Sequence, residues 1–208
     1  MGSLLMHVCV SKIVKEKLDL SNKFLFGTVM PDFIKLKTGQ RNESHYIKKV
    51  IYNNGVKELP DIERFILENR KDLKNEETRG YLAHLIEDKI WFDKYISKYV
   101  KRVKNNDELV ICLKNGCFKD NKKFTDELYS DYRKMGGYLV NKYNIDIKNL
   151  KRDLSIYLND EVYFKFLQKY CTNNIISNDN PIYFITKQDM NYYIKETVEE
   201  VLKVLNGI

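Results

Sequence analysis

The chain has 208 residues, 43% of them apolar and 31% charged, which suits one folded domain and excludes a disordered or fibrous chain. Its formal net charge is +7. Lysines alternate with acids instead of forming a block, and no basic–aromatic module occurs, so the charge reads as composition and argues against a nucleic-acid partner.

With only 3 prolines and 9 glycines, the chain has room for long helices. The opening MGSLLMHVCVSKIVKEK carries a short apolar stretch without a basic leader. No signal peptide is expected from it, no run approaches transmembrane length, and a cytoplasmic protein follows. A first helix is predicted from Ser3, as N-cap, to Leu18. Leu4, His7, Ser11, Val14 and Leu18 share one face of it, which points His7 at the core.

The apolar segment FLFGTVMPDFIK follows, with breaks expected at Gly27 and Pro31, and residues 35–45 read as a polar loop carrying His45 near its end. Pro60 suits the first position of a second long helix, PDIERFILENRKDL. A third helix is predicted through NEETRGYLAHLIEDKIWFDKYISKYVKRV, with Tyr81, His84, Asp88, Trp91 and Tyr95 on one stripe and a basic C-terminal end that complements the helix dipole. Trp91 and Tyr95 read as core. Beyond a weakly patterned stretch containing Asn115-Gly116, a helix runs through KKFTDELYSDYRKMGGYLVNKY, and two more are predicted near 147–171 and 186–206, the last opened by Thr186-x-x-Asp189. No alternating strand pattern and no internal repeat emerge. The expected fold is all-α, a helical bundle in a single domain spanning 1–208. Cys9, Cys112, Cys117 and Cys171 form no C-x-x-C pair and read as structural thiols.

His84 and Asp88 stand four apart on a helix, one above the other, where an imidazole and a carboxylate can share a cation. Alone, the pair reads equally well as a histidine hydrogen-bonded to an acid. The other residues strengthen the metal reading. An inward-facing His7 is costly to bury without a partner, His45 can reach in from a loop, and Asp32 is a carboxylate in an apolar segment. An exposed His45 and a helix-capping Asp32 are the alternatives. Asp131 falls in the middle of an apolar helix face. It would bind the metal or orient one of the histidines, unless a neighbouring Tyr hydroxyl or Arg satisfies it.

The succession His7, Gly27-x-x-Met30-Pro31-Asp32, Ser44-His45 and Gly80-Tyr81-Leu82-Ala83-His84-Leu85-Ile86-Glu87-Asp88 resembles the zinc-dependent phospholipase C family, which shares its helical fold with the fungal single-strand nucleases. The resemblance covers about the first ninety residues, and it implies that His7 binds one zinc. Asp32, His45 and His84 would bind a second, and Asp88 would bridge the two. The family's third ion, held by a later His, His and Glu cluster, has no counterpart, because no histidine follows His84. The N-terminal Trp ligand of secreted members is also missing. One or two ions are therefore expected. Zinc suits the donors, and so do manganese, iron and nickel.

The resemblance also implies a metal-dependent hydrolase acting on a phosphoester, a diester or a phospholipid head group. Asp32 would position or deprotonate the water, and Asp88 would hold the ions at bridging distance. The alternative is a non-catalytic helical protein that keeps a structural or remnant metal site and serves as an interaction module.

Overall fold

A computed structural model of the chain describes residues 3–52, 55–103, 106–173 and 182–208. Helix α1 (Leu4–Lys17) starts where the Ser3 hydroxyl accepts the Met6 amide. Leu4 to Ser11 are buried all round the helix, so α1 is central and not merely amphipathic. It packs on α2 (Asn22–Thr38), α5 (Glu76–Ile90), α6 (Asn121–Lys142) and α9 (Lys187–Asn206).

Helix α2 corrects the expected breaks at Gly27 and Pro31, because it continues through both. An interior proline costs a helix about 3 kcal/mol. Tertiary packing outweighs that here, since Phe24 to Val29, Pro31, Asp32 and Phe33 are all buried. Gly27 meets α5 at Gly80. A Cβ on Gly27 would lie 1.9 Å from the Glu77 carbonyl oxygen, and one on Gly80 would lie 2.0 Å from that of Phe24. Only hydrogen at both positions lets the two backbones come this close.

The loop expected over 35–45 is also corrected. Its first residues are the last turn of α2, Gly39 closes that turn at φ 73°, and Arg41–Ser44 form the short helix α3. Nor is Pro60 the start of a long helix. It ends strand β2 (Gly55–Pro60), which pairs antiparallel with β1 (Ile47–Tyr52), while α4 runs over Ile62–Glu68 with Asp61 as its cap.

Helix α5 stops at Ile90, widens into a π turn (Trp91–Tyr95), and tightens into a 3-10 turn (Ile96–Lys98). The basic residues assigned to its end, Lys101 and Arg102, belong to strand β3 (Val100–Val103). That strand pairs with β4 (Asn106–Cys112), which pairs with β5 (Phe118–Asp120). The predicted helix at 147–171 is two, α7 (Ile147–Ser155) and α8 (Glu161–Asn173). Asp160 accepts the amides of Val162 and Tyr163 at the start of the second.

The all-α expectation is therefore overturned. The chain is mixed α/β, 67% helical and 12% strand, with two small antiparallel sheets beside the helices. Strand β1 shows no alternation of buried and exposed residues, and β3 and β5 have only 4 and 3 residues, too few for a periodic signal. Asn54-Gly55 and Asn115-Gly116 are Asn-Gly pairs of the kind that closes hairpins, a signal the periodicity argument did not use. Gly116 takes φ 66° between β4 and β5. Trp91 and Tyr95 are buried in the core, with the Trp91 indole donating to the Tyr132 hydroxyl at 2.6 Å. Cys9, Cys112 and Cys117 are free thiols, and the Cys171 side chain lies outside the described residues. Among the described residues, no helix is long and apolar enough to cross a membrane.

Candidate metal centre

Four elements deliver the polar groups at the heart of the bundle. Helix α1 brings His7, α2 brings Asp32, the residue closing α3 is His45, and α5 brings His84, Glu87 and Asp88. The three histidines, Glu87 and Asp88 have no exposed surface, and Asp32 keeps 5%. The close approach of Gly27 and Gly80 sets α2 against α5 and so places Asp32 opposite His84 and Asp88.

Each imidazole is tied down by its Nδ1. His7 Nδ1 meets Glu87 Oε2 at 2.6 Å, and His84 Nδ1 meets the Thr28 carbonyl at 2.8 Å. His45 Nδ1 meets Ser44 Oγ at 2.9 Å, whose own hydrogen goes to the Arg41 carbonyl. The Thr28 carbonyl takes a proton from His84 Nδ1, and the Glu87 and Ser44 contacts suit one on Nδ1 of His7 and His45, so each Nε2 can offer a lone pair to a metal ion once it carries no proton itself.

Among the described residues, the three Nε2 atoms are buried and have no hydrogen-bond partner; the same holds for Oδ1 of Asp32. They point at one another's neighbours. His45 Nε2 lies 3.3 Å from Asp32 Oδ1, His7 Nε2 lies 3.5 Å from Asp88 Oδ1, and both His45 and His84 Nε2 lie 3.9 Å from Asp88 Oδ2. Lone pairs facing carboxylate oxygens repel unless a proton or a metal ion stands between them. The spacing suits one, since donors about 2.1 Å from a tetrahedral ion stand roughly 3.4 Å apart. Two triads, His7–Asp32–His84 and His45–His84–Asp88, each bring their donor atoms within 4.8 Å of one another and share His84. The residues present thus form a His/Asp group that could hold a metal ion.

The electrostatics carry the same strain. Burial opposes charge on His7, but the Glu87 and Asp88 carboxylates outweigh it and push the imidazole up to about 10. His84, stacked on His7 with ring centroids 3.9 Å apart, is pushed down to about 3 by burial and by the charge on His7. Burial would raise Asp32, yet His45, His84 and His7 hold it at about 2. Asp88 is held well below the ordinary carboxylate range against its burial, with His7 and His84 among the groups responsible. Burial raises Glu87 to about 7, against the pull of His7.

Glu87 is the member of this cluster that the spacing argument left out. It stands three residues after His84, the other helical neighbour spacing, next to Asp88. Its second oxygen accepts from Ser11 at 3.2 Å, and Ser11 Oγ lies 2.9 Å from Thr28 Oγ1. A buried acid between polar residues of α1 and α2 was the available signal.

Asp131 is corrected in the opposite direction. Its carboxylate accepts the backbone amides of Tyr183, Phe184 and Ile185 at 2.9, 2.7 and 3.0 Å. It therefore pins the segment before α9 onto α6. It is in neither triad and orients none of the three histidines.

The segment around His45 is held with some backbone strain. Tyr46 takes φ 50°, a left-handed conformation that a bulky aromatic rarely adopts. Its ring packs against Phe65 at 5.0 Å, and the Tyr81 hydroxyl donates to the Ser44 carbonyl at 2.5 Å. The turn is thereby kept in the form that sends His45 inward. No model of a known family, no curated protein and no solved structure matches the chain.

Proposed function

We propose that the protein is a metal-dependent phosphoester hydrolase of the zinc-dependent phospholipase C type, with one or two zinc ions held by His7, Asp32, His45, His84 and Asp88. The observation that carries this reading is the convergence of three buried, unpartnered Nε2 atoms on two ionised carboxylates. Manganese, iron and nickel suit the same donors. A divalent ion bound there supplies Lewis acidity and makes water a nucleophile near neutral pH.

The side chains divide the remaining work. Asp32 is the one carboxylate of the set with an exposed edge, and it accepts the proton of the attacking water. Asp88 turns one oxygen to His7 and the other to His45 and His84, which supports a bridging role for it if two ions are bound. Glu87, Ser44 and the Thr28 carbonyl hold the three rings in the ligating tautomer.

A second reading has its own support. Four of the five donor residues have no exposed surface, as suits a sealed structural ion in a protein that binds partners without turnover. Elemental analysis of the purified protein, with hydrolysis of bis(p-nitrophenyl) phosphate before and after chelation, separates the two. The hydrolase reading expects metal and a chelator-sensitive activity, both lost in His84→Ala. Metal without activity on mono- and diesters favours the structural ion, and full activity in a metal-free variant overturns the mechanism.

A further inference from the structure

The hairpin between β4 and β5 sets two cysteines against each other. Its ladder pairs Leu109 with Asp120, Val110 with Lys119 and Ile111 with Phe118, so the next step opposes Cys112 to Cys117. The Cys112 amide donates to the Cys117 carbonyl at 2.9 Å, which carries the ladder through that step. The turn is fixed on its own account. The Gly116 amide donates to the Cys112 carbonyl at 2.8 Å with Gly116 at φ 66°, and the Cys117 amide donates to Asn115 Oδ1 at 3.1 Å. Ladder and turn thus hold the two backbones together without help from the thiols.

Opposed residues of an antiparallel pair stand about 4.5–5.5 Å apart at Cα and share a face of the sheet. That spacing falls inside the roughly 4.4–6.8 Å that a disulfide spans. Cys112 follows Val110 by two residues and both are buried, so the shared face is the one turned to the body of the protein. Both thiols are free. The Cys117 sulfur makes one weak bond, donated to the Asn115 carbonyl at 3.6 Å, and rotation about its Cα–Cβ bond releases it.

The two sulfurs differ in access, since Cys117 is exposed and Cys112 is buried. A dissolved oxidant meets Cys117 first, and Cys112 is left to react with what Cys117 then carries. Neither cysteine belongs to the His/Asp triads, so the pair is separate from the candidate metal centre.

We propose that Cys112 and Cys117 are a reversible redox pair, oxidised by exchange with a small disulfide such as glutathione disulfide. The Cys117 thiolate attacks one sulfur of glutathione disulfide, forms a mixed disulfide and expels one glutathione thiolate. The Cys112 thiolate then attacks the Cys117 sulfur, closes the intramolecular bond and expels the second glutathione. The protons of the two protein thiols end on the two glutathiones. The protein gives up two electrons and glutathione disulfide takes them. Excess dithiol reductant runs the sequence backward. The bond ties β5, an edge strand of 3 residues, to the middle strand just before α6 begins at Asn121.

The test uses the full-length protein incubated with glutathione disulfide, quenched with acid, then unfolded and blocked at its remaining thiols with N-ethylmaleimide. Trypsin cuts at Lys114, between the two cysteines, so a bridge leaves two fragments joined and visible by mass spectrometry. The wild type is expected to give the Cys112–Cys117 link in about tenfold or greater excess over a Cys117–glutathione adduct, because the second thiol is already in place. Dithiothreitol is expected to restore both thiols. In Cys112→Ser the adduct at Cys117 is expected to accumulate instead, and in Cys117→Ser the Cys112 thiol is expected to remain free for maleimide. A wild type that stops at the adduct with Cys112 unmodified overturns the pair. So does one that joins Cys117 to Cys171 or to a second molecule, or one that leaves both thiols unreacted.

Discussion

Glu87 and His7 lie 80 residues apart in the chain and meet at 2.6 Å with no exposed surface on either side chain. The contact fixes which nitrogen of His7 faces Glu87 and which faces the candidate metal centre. Glu87→Gln keeps the size of the side chain but removes its charge, and with it the basicity lent to the imidazole. Metal affinity is expected to fall by about 10–100-fold, as is usual when such an orienting partner is lost. Competition against a chromophoric chelator measures it. An unchanged affinity would mean that His7 binds no metal.

The second prediction concerns protons. His7 is raised to about 10, so near neutral pH in the absence of metal its Nε2 is protonated. Binding an ion there must displace that proton. Affinity should rise about tenfold per pH unit between 6 and 8, and calorimetry in buffers of different ionisation enthalpy should report about one proton released. Stability follows from the same shift. A raised imidazole contributes fully below its unfolded value of 6.5 and loses the contribution as pH climbs through about 10. Glu87, raised from 4.5 to about 7, loses its contribution over that lower interval, in the same direction. His84, lowered from 6.5 to about 3, works the other way and offsets the Glu87 loss below pH 6.5. Metal-free protein is therefore expected to become less stable between pH 6.5 and 10, and saturating zinc to remove much of the decline. Thermal melts across that range with and without chelator check both; parallel curves would contradict the assignment.

The third prediction addresses the helix contact that builds the centre. A methyl group at Gly80 would meet the Phe24 carbonyl at 2.0 Å, and one at Gly27 the Glu77 carbonyl at 1.9 Å. Backbone atoms cannot yield as a flexible side chain does, so α2 and α5 must separate. Gly80→Ala is expected to cost about 3 kcal/mol or more, at the upper end for overpacked cores. It should also abolish metal retention, because Asp32 moves away from His84 and Asp88. Urea unfolding and elemental analysis read the two effects. Full metal content in Gly80→Ala would show that the centre tolerates a wider helix spacing.

The fourth prediction separates the two kinds of buried carboxylate. Asp131→Ala leaves the amides of Tyr183, Phe184 and Ile185 without their acceptor. Each buried unsatisfied amide costs about 1–3 kcal/mol. The variant should lose stability by several kcal/mol while metal content per folded molecule stays at the wild-type value. A drop in metal affinity would return Asp131 to the centre.

The sequence by itself determined the starts of the first and last helices, the inward face of His7 and the shared face of His84 and Asp88. Ser3 caps α1, the Thr186–Asp189 capping box opens α9, and His84 and Asp88 share a face of α5 because they stand one turn apart. All of these are local: they depend on 3.6-residue periodicity and on hydrogen bonds within a few residues. Tertiary structure decided the rest. Pro31 and Gly27 read as breaks until the burial of α2 outweighed the cost of the proline and α5 came within backbone contact. The strands are short and β1 shows no alternation of buried and exposed residues, so the periodicity of two sheets was too weak to detect. Asp131 and Glu87 look alike in sequence, an acid on a helix among apolar neighbours. Their partners, backbone amides for one and His7 for the other, lie 52 to 54 and 80 residues away, and no local rule distinguishes between contacts at that range.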